Sequence, residues 1–126
     1  MRTIKFRGKC TDDGMWRYGD LLHENGLLWI NDNGLHCTVD ENTVGQFTGI
    51  KDKKGKEIYE GDIVSVNDFT SVYTTPYKGV VTVYRSSWVV EYESSFGIMR
   101  PLLHFDDFPK YKNLVIGNIH DNPNLK

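Results

Sequence analysis

A chain of 126 residues with 39% hydrophobic and 25% charged residues has the composition of one globular domain and excludes wholesale disorder. A net charge of −2 excludes a global basic field of the kind that holds nucleic acid or an anionic membrane. Two cysteines are too few for a disulfide framework, and no run of about 18 apolar residues suggests a membrane span, so the expectation is a cytoplasmic protein with reduced thiols.

Aromatic residues make up 13% of the chain and alanine is absent, which favours strands over helices. Residues 2–9 alternate, with Ile4 and Phe6 on one face and Lys5, Arg7 and Lys9 on the other. Such a basic ladder could meet phosphate, but a charged solvated face or a guarded sheet edge explains it more simply. Thr11-Asp12-Asp13-Gly14 then turns the chain into a run, 15–23, where Trp16 and Tyr18 share a face. Glu24-Asn25-Gly26 and Asn31-Asp32-Asn33-Gly34 give two further reversals around Leu27-Leu28-Trp29-Ile30, so the first third reads as a hairpin meander. The second of these turns has calcium-friendly residue types without the ligand spacing of a calcium loop, and turn formation accounts for it.

Residues 44–50 form a strand pattern that ends at Asp52-Lys53-Lys54-Gly55, with Asp first and Gly fourth as a type I turn prefers. The chain should return over 56–59 and then bend at Glu60-Gly61-Asp62 into the β-branched run 63–67. The stretch V-G-Q-F-T-G-I-K-D-K-K-G-K-E-I-Y-E-G-D-I-V resembles the core signature of the YopX-like family of phage and prophage proteins. The opening I-K-F-R-G-K, the segment W-R-Y-G-D-L-L and the ending I-G-N-I-H-D-N-P-N-L extend the resemblance over nearly the whole chain, and it is weakest from 68 to 112. It implies a mostly β fold with an SH3-like small-barrel portion (residues 43–126, after an N-terminal β-hairpin part, 1–42), phage or prophage origin, and self-association into a homo-oligomer. No catalytic residues come with it.

Residues 68–78, rich in Thr, Ser and Tyr and interrupted by Pro76, read as a loop and a candidate partner-specific surface. Two strong strands, 79–84 and 87–93, flank Arg85-Ser86, with Val81, Val83, Val89 and Trp88 as core candidates, and 96–99 continues the meander. Residues 101–112 place apolar side chains at helical spacing after Pro101, which predicts one short helix or helical turn before Pro109; 114–120 closes the fold as a strand.

Chemistry is sparse. His104 with Asp106 and Asp107 supplies too few converging ligands for a metal site, and Glu60 with Asp62 lacks an acid–base partner and suits a turn. His120-Asp121 suits a chain-end turn. Neither cysteine lies in a C-x-x-C, and nucleophile-elbow and phosphate-loop motifs are missing. The sequence therefore points to a non-enzymatic interaction or assembly module without cofactor or metal, partnered by itself or by a phage or host protein. The alternative is weak nucleic-acid binding through Lys5, Arg7, Lys9, Lys53 and Lys54, with Trp16 and Tyr18 as stacking platforms.

Overall fold

The computed structural model describes residues 3–68, 76–104 and 111–125, Asp68 and Tyr111 by backbone alone. These form β1 (Phe6–Lys9), β2 (Trp16–Glu24), β3 (Leu27–Asp32), β4 (Leu35–Thr38), a single 3-10 turn (Glu41–Thr43) and β5 (Gly45–Lys51). Then follow β6 (Glu57–Tyr59), β7 (Asp62–Asp68), β8 (Tyr77–Tyr84), β9 (Ser87–Ser94), β10 (Gly97–Met99) and β11 (Tyr111–Asn118). All pairings described are antiparallel, and the architecture is mostly β and barrel-like without full closure. Two compact units, Met1–Gly49 and Ile50–Lys126, divide the chain inside β5.

In the first unit the strand order is β4-β3-β2-β1-β5. Glu24 pairs with Leu27 and Asp32 with Leu35, so Asn25-Gly26 and Asn33-Gly34 are two-residue loops. All four of these loop residues have positive φ, the conformation Asn-Gly adopts readily and a twisted hairpin demands. The ends of β1 and β4 meet at one isolated bridge, Cys10 with Val39, so the meander folds back on itself at a single seam. Lys9 N–H donates to Thr43 Oγ1 (2.9 Å) and Asp40 N–H to the Lys9 carbonyl (2.9 Å), bracing that seam through the 3-10 turn. Gly19 is fixed by a close approach: a Cβ there would lie 2.0 Å from the Asn31 carbonyl oxygen.

The second unit has the order β10-β9-β8-β7-β11 around a core of Ile50, Ile58, Val64, Val66, Val81, Val90 and Leu103, with Tyr77, Trp88 and Val115 packed on it. Alternation along β7, β8 and β9 sends one face of each strand into this core. Val83 departs from expectation. It lies opposite Trp88 next to the hairpin turn, past the packed centre of the sheet, and is exposed.

A buried carboxylate ties this unit together. Asp52, 2% exposed, accepts from the N–H groups of Lys54 and Lys56 through Oδ1 (2.9 Å each) and from Val115 N–H through Oδ2 (3.0 Å). Its main chain exchanges a further bond with Lys56 (2.8 Å), and Gly55 turns with φ +82°. The Glu60-Gly61 corner is braced likewise, by Asp62 Oδ2 accepting from Tyr59 N–H (2.8 Å).

The helical turn among the described residues is the one at Glu41–Thr43, whereas the sequence places it at 101–112. Of that span, 105–110 lie outside the described residues. The rest is extended at its start, where Leu102 bridges Val89 and Leu103 N–H bonds the Trp88 carbonyl (3.0 Å), because these bonds pair the segment with the edge of β9.

Two outcomes follow for stability. Asp52→Ala removes three charge-assisted hydrogen bonds made by a buried carboxylate to backbone donors and should lower unfolding free energy by about 3 kcal/mol in urea melts followed by tryptophan fluorescence. Arg85 and Ser86 form the β8–β9 loop with φ of 51° and 65°, a turn that Asn-Gly fits far better. Arg85→Asn with Ser86→Gly should therefore raise the melting free energy by about 1 kcal/mol.

Candidate interaction surfaces

The basic residues of β1 sit on a face shared with Trp16. Pairing sets Lys9 against Trp16 and Arg7 against Tyr18. The Arg7 guanidinium lies over the Trp16 ring at 4.7 Å, the Lys9 ammonium over the same ring at 5.5 Å, and the Lys5 ammonium over Phe47 at 5.6 Å. Arg7 is only 4% exposed, while Ile4, assigned by alternation to the opposite face, is exposed. The two-residue period sorts side chains into faces without saying which face is covered, and here a cation with a long apolar stem takes the covered one. Lys5 and Lys9 are half-buried, and Lys53 and Lys54 are exposed on the Asp52 turn of the second unit. Of the two aromatic platforms, Trp16 is already stacked by cations, whereas Tyr18 is exposed.

Beside this face, Lys5, Tyr18, Asp20, Asn31, Asp32 and Asn33 line a polar hollow of about 420 Å³. Asn31, Asp32 and Asn33 are engaged by the turn and by β2. Asn31 Oδ1 accepts from Gly34 N–H (2.8 Å), Asn33 Nδ2 donates to Asp32 Oδ1 (3.3 Å), and Asp32 Oδ2 accepts from Tyr18 N–H (3.4 Å). Among the described residues no group of three or more His, Cys, Asp or Glu is placed to hold a metal ion.

The acid pairs resolve similarly. Asp62 is buried in its corner, and His104 accepts the Asn113 side-chain amide on its carbonyl (2.7 Å). Asp106 and Asp107 lie outside the described residues, as does most of the 68–78 segment. The Asp121 carboxylate is engaged by Asn118 Nδ2 (3.1 Å), while His120 and Asp121 N–H groups donate to Asn118 Oδ1, which makes a closed C-terminal turn.

Sequence reading missed the outer face of the second sheet. Lys78, Val80 and Thr82 of β8, Glu91 and Glu93 of β9, and Ile98 of β10 line an open groove of about 740 Å³, which Ile119 borders. Tyr77 and Tyr92 stack at 4.7 Å along it. β10 is the last strand of its sheet, and every one of its residues is exposed. Phe96, 95% exposed, and Ile98, 58% exposed, stand there beside exposed Met99 and Leu102. Arg100 is drawn aside, bonded to Glu91 (2.8 Å) and stacked on Tyr84 at 4.2 Å. The signal available in sequence was the run Phe96-Gly97-Ile98-Met99, three large apolar residues with no charge and no proline.

A family model described as YopX protein matches residues 5–125. The crystal structure of protein EF1440 from Enterococcus faecalis is similar at 26% identity, covers 99% of both chains and superposes with a TM-score of 0.48. No curated protein matches the chain.

Replacing Arg7 with Met should red-shift Trp16 emission and lower stability by about 2 kcal/mol, since the stacked guanidinium shields that ring. Glu at Lys53 and Lys54 should change stability by less than about 0.5 kcal/mol in the same melts.

Proposed function

The chain belongs to the YopX family, and we propose that it works as a non-enzymatic interaction module that self-associates through the β10 edge. The observation that carries this reading is the β10 edge itself: an outermost strand whose Ile98 and Met99, with Phe96 before them, stand in solvent. Natural edges are usually blunted by charge, proline or cover, and these three strand residues carry neither charge nor proline. Antiparallel pairing of two β10 strands across a two-fold axis would set Ile98 against its own copy and bring no like charges together on the strand. The Glu91–Arg100 ion pair beside it is satisfied within one chain, so pairing need not break it.

Origin in a phage or prophage and a bacterial cytoplasmic location belong to the same proposal. No helix among the described residues is long and apolar enough to cross a membrane.

Size-exclusion chromatography with light scattering should give a concentration-dependent dimer that Ile98→Lys converts to monomer, with a melting temperature equal to that of the parent chain at dilutions where the parent is monomeric. A strict monomer at high micromolar concentration, or a dimer indifferent to Ile98→Lys, defeats the reading. Retention on single- or double-stranded DNA that is lost in a Lys5→Glu, Lys53→Glu, Lys54→Glu variant and at raised salt would favour the nucleic-acid alternative instead.

A further inference from the structure

The cysteines lie 27 positions apart in sequence, but the seam of the first unit brings them to the same place. Cys10 bridges Val39, and the flanking bonds are Thr11 N–H to the Thr38 carbonyl and Asp40 N–H to the Lys9 carbonyl, 2.9 Å each. That pattern makes Cys10 and Val39 a non-hydrogen-bonded pair, the kind in which opposed Cα atoms come closest, at about 4.5 Å. Cys37, two residues before Val39, therefore occupies the diagonal position on the same face as Cys10. The next pair along, Thr11 and Thr38, touches through its hydroxyls at 2.6 Å, which shows how closely the two segments run here.

Polar groups gather around the sulfurs. Asp13 accepts from Met15 N–H through Oδ1 (2.9 Å) and from Arg17 Nη2 through Oδ2 (2.7 Å). The Met15 N–H is the main influence holding the Asp13 carboxyl below its ordinary range, and Cys10 and Arg17 add to it. Partial burial, followed by hydrogen bonding with the Cys10 thiol, pushes the Cys37 thiol up, while the Arg17 charge opposes the rise. Cys10 is buried and Cys37 is half-exposed, so one sulfur meets solvent and the other stands behind it.

We propose that Cys10 and Cys37 are a thiol–disulfide modification site, in which a hydroperoxide-class oxidant closes a reversible Cys10–Cys37 disulfide across the β1–β4 seam. The Cys37 thiolate attacks one peroxide oxygen, the O–O bond breaks, and the sulfur becomes a sulfenic acid as water leaves. Cys10 sulfur then displaces the sulfenic hydroxyl, which departs as a second water after taking the Cys10 proton. The sum is two thiols and one hydrogen peroxide giving one disulfide and two waters, with two electrons moving from sulfur to oxygen. Diagonal neighbours stand about 7–8 Å apart, past the Cα separation of an ordinary disulfide, so closure requires the strands to move inward and leaves a strained bond that a small dithiol reopens. The crosslink reinforces the one place where the first-unit meander closes through a single bridge.

The experiment treats the full chain with hydrogen peroxide and follows intact mass, maleimide labelling and melting temperature. A loss of 2 Da, joint disappearance of both thiols, a tryptic species linking the Cys10 peptide to the Cys37 peptide, and full reversal by dithiothreitol are expected. Melting temperature should rise by roughly 5–10 °C on oxidation and remain unchanged in Cys37→Ser treated the same way. The oxidation rate should climb as pH rises, because Cys37 holds its proton longer than an ordinary thiol and only the thiolate attacks. Gains of 16 or 32 Da without the linked peptides, crosslinking between chains, or thiols that label independently after oxidation would overturn the proposal. The mass and labelling readouts need no variant, so they decide even if Cys37→Ser folds poorly.

Discussion

The second unit depends on one carboxylate. Asp52 opens a tight turn, and a turn alone needs only one of its oxygens, the one that accepts from Lys54 and Lys56. The other oxygen reaches Val115, 63 positions later, and Lys53 N–H bonds the Asn113 carbonyl alongside it (2.9 Å). Asn113, itself buried, passes the connection to the His104 carbonyl. A buried charge is tolerable only with partners, and here three backbone donors supply them. Asp52 and Asn113 together thereby tie the hairpin tip, β11 and His104 to one another.

This explains which parts of the signature were legible. Asp52 and Gly55 announce a type I turn through local chemistry, as Asn25-Gly26 and Asn33-Gly34 announce type I′ turns, and the structure has all three. Nothing local marks the bond to Val115, since long-range partners leave no spacing to read. The Arg85-Ser86 loop shows the opposite limit. Its residues disfavour the positive φ they adopt, yet the register of Tyr84 with Ser87 leaves two residues to turn the chain. Tertiary pairing overrides local preference there, and Arg85 and Arg100 both rest on Tyr84, at 5.3 and 4.2 Å.

Strand faces were legible as pairs, but not their burial. Alternation grouped Lys5, Arg7 and Lys9, and the structure sets Arg7 and Lys9 over Trp16 and Lys5 over Phe47. Treating that side as solvated missed the stacking that buries Arg7, because amphipathic side chains cover apolar surface with their stems and ring contacts. Val83 errs the other way. It has the β-branched shape of a core residue, but a strand end beside a tight turn has no facing layer to receive it.

The fold accounts for most of the polar residues that looked capable of chemistry. Asp52, Asp62, Asn118 and Asn31 each close a turn by accepting backbone N–H groups, which is why carboxylates and amides recur beside the turns of the described residues. Two features remain that turn-making does not use. The apolar edge of β10 contributes no core, and a strand serving the fold alone would be as stable with a lysine at Ile98. The diagonal placement of Cys37 beside the Cys10 bridge is the other, at a seam that Val39 and the threonine pair also close. Residues that the architecture leaves idle are where selection for function can act without cost to folding. In this chain they are an edge suited to another strand and a thiol pair suited to oxidation.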